Sequence, residues 1–485
     1  MTLKDKTMSG VKWTTVSTII VTVIQLLQLS ILTRFLAPTD FGLMAIVMVV
    51  IGFSQAFLDM GISNAIIYKQ TITSEQLSTL YWLNVVMGCI LFALISAASP
   101  LVSLFYKEPE LTKLIILVGL TFLIQPFGQQ FMVLWQKEMR FAEMSKIDIV
   151  TKLLSLVVSV FSAYLGNGVY ALVYGTLAAA MSQTILFVAM GLKEHRPQLL
   201  FRWGEIRDFV GFGAYQMGER TVNYFNLQID VIIIGKLLGT EALGVYNIAK
   251  QLIMRPSQIV NPIITKVTFP AMAKVQNDMA TLKRVYLQTI NYLSSVNFPV
   301  YAMMIVLTPE IVFFLFGTKW MAAVPIVQVL SLYGAVRSTG NPIGSLLLAK
   351  GKANLAFYWN LGLLFYVPVG IAFASQRGLL AVSWMLVALS VSLIIPGWYL
   401  LVRPLCGAKL GEYSLQIFIP FVLSLVSAIS AYLSIYFFEN GLLRFGAGML
   451  VGGVVYIGLS WRFNRIWVNS MMELVAGRLV AKRCL

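Results

Sequence analysis

Four cations stand inside long apolar runs of this chain: Arg220, Lys250, Arg255 and Arg337. A charge at mid-depth of a bilayer costs at least about 2.5 kcal/mol on insertion scales, so it faces a partner or a wet cavity. Cations gathered in such a cavity attract an anionic group such as a diphosphate, with Arg as a two-pronged donor and Lys as a point charge. The alternative is pairing, in which Glu219 or Asp230 neutralises one or two of them and Lys250 extends outward along its stem. Lys250 and Arg255 are five residues apart, roughly 140° around a helix, so they need not share a face. These four are the candidate substrate-binding residues. Asp59, Glu219, Asp230 and Glu310 are candidates for ion coupling, with a solvated helix end as the competing reading for Asp59, Asp230 and Glu310.

The elements that carry these residues are helices through lipid. Hydrophobic residues make up 58% of the chain and charged ones 12%, and apolar runs of about 20 residues recur throughout, which is the transmembrane pattern. Runs bounded by charge, Pro or Gly predict helices near 13 to 36, 41 to 62, 80 to 105, 112 to 135, 148 to 166, 168 to 192, 208 to 237, 243 to 269, 290 to 316, 322 to 349, 354 to 374, 379 to 402, 412 to 437 and 441 to 461. The expectation is an all-α polytopic membrane protein of about 14 transmembrane helices. The first run, Val16 to Leu32, is too long for a signal-peptide core and reads as an uncleaved helix.

Lys and Arg divide about 25 to 7 between the two sets of connecting loops, which places both termini in the cytoplasm. The formal net charge of +16 is then mostly a matter of orientation. No basic block interleaved with stacking aromatics points to nucleic acid. The three cysteines are far apart and His195 is the single histidine, so neither a disulfide framework nor a metal site is expected. No phosphate-binding loop and no soluble catalytic domain are evident, so the expectation is a non-enzyme without cofactors.

An internal repeat emerges when the first helix is laid on the seventh. The stretch Arg34-Phe35-Leu36-Ala37-Pro38-Thr39-Asp40-Phe41-Gly42 aligns with Lys236-Leu237-Leu238-Gly239-Thr240-Glu241-Ala242-Leu243-Gly244 without a gap. At the same offset Gln28 falls on Asp230 and Asp59 on Asn261; Pro126 and Pro342 give a second echo. An even number of crossings between copies predicts a parallel repeat about an axis along the membrane normal. The expected organisation is a six-helix lobe over 1–192, a cytoplasmic linker over 193–207, a second six-helix lobe over 208–404, two accessory C-terminal helices over 405–461 and a basic tail over 462–485. In the last helix Gly448 and Gly452 offer a close-packing face. Pro256, Pro262, Pro342 and Pro368 predict kinks that could serve as hinges.

The segments Gln228 to Ala249, Asn261 to Lys274 and Arg337 to Lys352, together with Thr33 to Gly42 and Phe57 to Ile66, resemble the polysaccharide-transport family of the multidrug, oligosaccharidyl-lipid and polysaccharide exporter superfamily. The likeness runs over nearly the whole chain, and within the family it points to lipopolysaccharide-biosynthesis flippases of the colanic-acid-exporter type. It implies two six-helix lobes around a central cavity, and translocation of an undecaprenyl-diphosphate-linked oligosaccharide repeat unit across a bacterial inner membrane by alternating access. Arg337 lies on the family's motif; Arg220, Lys250 and Arg255 rest on the physical argument alone. Expected partners are the lipid-linked oligosaccharide and membrane lipids, with polysaccharide polymerase machinery a further candidate. The alternative is a cation-coupled drug or small-molecule antiporter of the same superfamily, which predicts an acid-lined cavity. Nothing in the residues demands more than a monomer.

Overall fold

In lipid every backbone N–H and C=O must find its partner within the protein, so apolar runs coil into helices. The structure, a computed structural model, describes residues 3–58, 63, 66 and 72–475; the side chains of 3–9, 11, 56, 203, 205–220, 353 and 473–475 lie outside the description. Asp59, expected as an ion-coupling candidate, lies outside the described residues, as do the side chains of Glu219 and Arg220.

The helices are α1 (Leu3–Phe35), α2 (Pro38–Leu58), α3 (Ser74–Tyr106), α4 (Glu110–Gly119), α5 (Thr121–Ile124), α6 (Pro126–Lys137), α7 (Phe141–Tyr164), α8 (Tyr170–Gly191), α9 (Trp203–Lys274), α10 (Met279–Val306), α11 (Thr308–Phe316), α12 (Val324–Ala349), α13 (Ala353–Ser375), α14 (Leu379–Ser392), α15 (Ile394–Gly397), α16 (Arg403–Cys406), α17 (Leu410–Ile435), α18 (Gly441–Phe463) and α19 (Arg465–Val475). Among the described residues, 10 helices are long and apolar enough to cross a membrane, or up to 12 if each bent pair is one span. The protein is therefore an all-α, multi-pass membrane protein.

Two expected single helices are bent pairs, Glu110–Ile124 with Pro126–Lys137 at 51° and Met279–Val306 with Thr308–Phe316 at 76°. A proline stands in the first turn of the second member of each, α6 and α11, where it lacks the N–H that would continue the preceding helix. The expected runs near 208 to 237 and 243 to 269 both fall in α9, which leaves helical geometry at Gly239 (φ 83, ψ 176). That backbone conformation is open essentially to glycine alone.

The chain folds as two compact units, Met1–Asn247 and Ile248–Leu485. In the first, α7 presents buried Thr151, Ser155, Ser159 and Ser162 along one stripe. Ser155 Oγ donates to the Gly175 carbonyl of α8 at 2.8 Å, and Gln28 Nε2 of α1 donates to Ser159 Oγ at 2.8 Å. Lipid gives apolar faces no reason to associate, so small and hydroxylated residues that let backbones approach supply the contact. The first half of α9 docks on α2 through the Tyr224 hydroxyl, which donates to the Val49 carbonyl at 2.9 Å. Gly42 and Gly244 meet the facing backbone directly: a Cβ on Gly42 would lie 1.9 Å from the Thr240 carbonyl oxygen, and one on Gly244 would lie 1.7 Å from that of Pro38.

In the second unit α17 and α18 pack on α10. Gly448 and Gly452 supply the close approach expected of them, since a Cβ on Gly452 would lie 2.5 Å from Met303 Sδ and one on Gly448 would lie 2.8 Å from Leu307 Cδ2. Ser427 Oγ donates to the Gly452 carbonyl at 2.6 Å, the Tyr456 hydroxyl to the Ser295 carbonyl at 2.6 Å, and Asn464 Nδ2 to Ser295 Oγ at 2.7 Å. Arg444 of α18 pairs with buried Glu310 of α11 at 3.1 Å.

Candidate functional site

The C-terminal unit presents a polar face on α12, which lies within a candidate membrane span, Thr318–Ala349. Along α12 the exposed residues between Val336 and Ala349 are Arg337, Gly340, Asn341, Gly344 and Leu348, a spacing of three and four that puts them on one side of the helix. A Cβ on Gly340 or on Gly344 would meet nothing within 4 Å. A guanidinium, an amide and two bare backbone positions are a poor surface for acyl chains and a good one for water and a polar ligand.

Arg337 is held rather than loose. Its Nη1 donates to the Tyr333 hydroxyl one turn earlier, and its guanidinium lies 5.7 Å from the centroid of that ring, within cation–π range. Tyr333 is buried, so it anchors the guanidinium, while Arg337 as a whole stays exposed. Beside it, Tyr301 of α10 packs its ring over Gly334, where a Cβ would lie 2.6 Å from the ring, and donates its hydroxyl to the Ile253 carbonyl at 2.9 Å. Asn297 Nδ2 donates to Asn261 Oδ1 at 3.0 Å. These two bonds fasten the second half of α9, which carries the half-buried Lys250 and Arg255, onto α10. Tyr301 thus bridges the segment bearing Lys250 and Arg255 to the helix bearing Arg337.

Two of the acidic candidates, Asp230 and Glu310, have side chains among the described residues, and each has a partner of its own. Asp230 is buried in the N-terminal unit, where the Tyr246 hydroxyl donates to its Oδ2 at 2.5 Å across the break at Gly239. Glu310 is taken up by Arg444, several helical turns before Arg337 in the chain.

The N-terminal unit holds a second polar place that the sequence reading passed over. A cavity of about 200 Å³ is lined by Gln55 of α2, Gln125, Gly128 and Gln129 at the α5–α6 break, and Gln183, Thr184 and Phe187 of α8, with Leu58 and Met132. Gln55 Nε2 donates to Gln125 Oε1 at 2.9 Å, and Gln183 Nε2 to Asp148 Oδ1 of α7 at 3.4 Å. The signal was available, since these glutamines interrupt apolar runs and Gln125 and Gln129 are one turn apart; without a charge they did not stand out.

Comparison with known proteins agrees on one lineage. Residues 31–325 match the family described as "Polysaccharide biosynthesis protein". The teichuronic acid biosynthesis protein TuaB of Bacillus subtilis is 36% identical over 426 residues, 88% of this chain and 88% of that one. The lipopolysaccharide biosynthesis protein WzxC of Escherichia coli is 32% identical over 433 residues, 89% of this chain and 88% of that one. Among solved structures, the lipid II flippase MurJ in an inward closed conformation aligns with a TM-score of 0.75 at 13% identity, over 94% of this chain and 100% of that one. At that identity the likeness speaks for the fold.

Proposed function

Because the chain belongs to the polysaccharide biosynthesis protein family, we propose that it is a flippase. Its cargo is an undecaprenyl-diphosphate-linked oligosaccharide repeat unit, a lipopolysaccharide, capsule or exopolysaccharide precursor, carried across the bacterial inner membrane by alternating access. The observation that carries this reading is the exposed face of α12, where Arg337 is followed along the helix by the open Gly340 and Gly344. A guanidinium there matches a diphosphate in charge and in fork geometry. Lys250 and Arg255 are the further cations of this grip, joined to Arg337 through Tyr301, and Arg220 is retained as a candidate on the sequence argument.

The test is leaflet-exchange of a fluorescent lipid-diphosphate oligosaccharide by the full chain in proteoliposomes. Loss of one charge-assisted hydrogen bond, about 1.5–3 kcal/mol, corresponds to a slowing of roughly 10- to 150-fold for Arg337→Ala, with Arg337→Lys intermediate. Wild-type flipping by the Arg220→Ala, Arg337→Ala double variant would remove the proposed grip.

Finer features belong to the same proposal. Counting each bent pair as one span gives 12 crossings among the described residues, and taking both halves of α9 as two more reaches the expected 14, with both termini cytoplasmic by the Lys and Arg bias. A parallel repeat between the two lobes, 1–192 and 208–404, is supported by the reciprocity of the glycine contacts: Gly42 and Gly244 are aligned partners in the repeat, as are Pro38 and Thr240, and each glycine abuts the carbonyl of the other's aligned neighbour. Asp230, buried and bonded to the Tyr246 hydroxyl, stays a candidate for ion coupling alongside Asp59, Glu219 and Glu310. Polysaccharide polymerase machinery is the partner that would consume the product. The reading as a cation-coupled drug antiporter calls for acids on the exposed membrane face, and α12 exposes a base there.

A further inference from the structure

We infer that the glutamine-lined cavity of the N-terminal unit is a carbohydrate subsite that takes one neutral, hydroxyl-bearing sugar ring of the cargo; the inference rests on the flippase reading. Three elements meet at this cavity, α2, the α5–α6 break and α8, and each contributes at least one primary amide. A primary amide offers two donors and two acceptor lone pairs, so it answers a sugar hydroxyl, itself donor and acceptor, in either sense. The Gln55–Gln125 bond uses one donor and one acceptor of that pair, which leaves both amides with further capacity. Carboxylates would select cations and guanidinium groups would select anions, whereas four amides favour a neutral polar ligand.

The surroundings fit the same ligand. Gln125 and Gln129 lie one helical turn apart beside the 51° bend at Pro126, and both line the cavity. Gly128 lets α6 approach α8 so closely that a Cβ there would lie 3.0 Å from Thr184 Cα, and that approach sets Gln183 across from the break. Phe187 adds an aromatic wall against which the apolar face of a sugar ring can lie. The volume, about 200 Å³, falls below the roughly 300–1,000 Å³ of sites for drug-sized ligands, so the cavity suits one ring and not a whole oligosaccharide.

Binding of two probes to the purified full chain in nanodiscs tests the subsite: bare undecaprenyl diphosphate, and the same lipid carrying a single hexose, with glucose and galactose tried in turn. The wild type is expected to bind at least one hexosyl lipid roughly tenfold tighter than the bare lipid, the sum of one or two neutral hydrogen bonds. Gln125→Met with Gln183→Met, which preserves side-chain volume, is expected to erase that preference while leaving bare-lipid affinity unchanged. Arg337→Ala is expected to weaken both probes alike and preserve their ratio. Gln129→Met alone, checked for monodispersity, guards against misfolding of the double variant and is expected to reduce the preference in part. A wild type without sugar preference, or a preference untouched by the glutamine variants, overturns the subsite while the flippase reading stands. A wild type that binds neither lipid overturns both.

Discussion

Two neighbouring helices of the C-terminal unit each turn one face outward, and the faces differ in kind. On α12 the outward residues from Arg337 on are Arg337, Gly340, Asn341, Gly344 and, at its end, Leu348. On α13 they include Phe357, Tyr358, Phe365, Val369 and Phe373, with Phe365 69% and Val369 71% exposed. Both faces follow the same helical spacing, so periodicity alone would have assigned them alike. What separates them is the medium that each composition tolerates: hydrocarbon accepts aromatic rings and rejects a guanidinium, and water does the reverse. Exposure in a membrane protein therefore has two meanings, and residue type decides between them.

Placing a charge on each face gives the largest contrast. Phe365→Arg, near the middle of α13, is expected to cost about 2.5–3.5 kcal/mol of membrane insertion, read as lost yield and lowered melting temperature in detergent. Asn341→Lys on α12 should stay within about 0.5 kcal/mol by the same measures. Equal penalties would erase the distinction. Bulk comes next: Gly344→Leu fills open space on the polar face, so flipping should fall roughly tenfold, about 1.4 kcal/mol on the barrier, with the melting temperature unchanged. A membrane-impermeant thiol reagent sharpens the assignment further. On a background with Cys89, Cys406 and Cys484 replaced by Ser, Gly340→Cys is expected to react and Val369→Cys to remain unlabelled. The smallest effect is expected for Phe365→Leu, within about 0.5 kcal/mol in stability and with flipping at the wild-type rate.

Helix positions were legible wherever an apolar run ended in a charge or a glycine, and the break at Gly239 fell between two predicted helices because Lys236, Gly239 and Glu241 interrupt the apolar run there. The bends at Gln125 and Leu307 were not legible. Pro126 and Pro309 each sit within a continuous apolar run, and hydropathy does not register a change of direction. Prolines read as hinge candidates, such as Pro342 and Pro368, lie within single continuous helices, since neighbouring residues can take up one missing hydrogen bond. Arg337 was legible because a charge in an apolar run is conspicuous. Its clamp by Tyr333, and the role of Tyr301 in joining α9 to α12, depend on contacts between helices that spacing along one helix does not encode. The glutamine cavity escaped notice for a related reason: amides scattered over positions 55, 125, 129 and 183 become a cluster only when α2, α6 and α8 are packed.

The crossing of Gly42 and Gly244 constrains how this protein can change over time. Main chain touches main chain there, so no rotamer adjustment can absorb even one methyl group, and carbonyls cannot retreat as a flexible side chain would. A saturation library across α2 and α9 should return glycine alone at both positions, and a second substitution should fail to rescue the first. Two sites distant in sequence are thereby frozen together, while the lipid-facing positions of α13 remain free to drift among apolar residues.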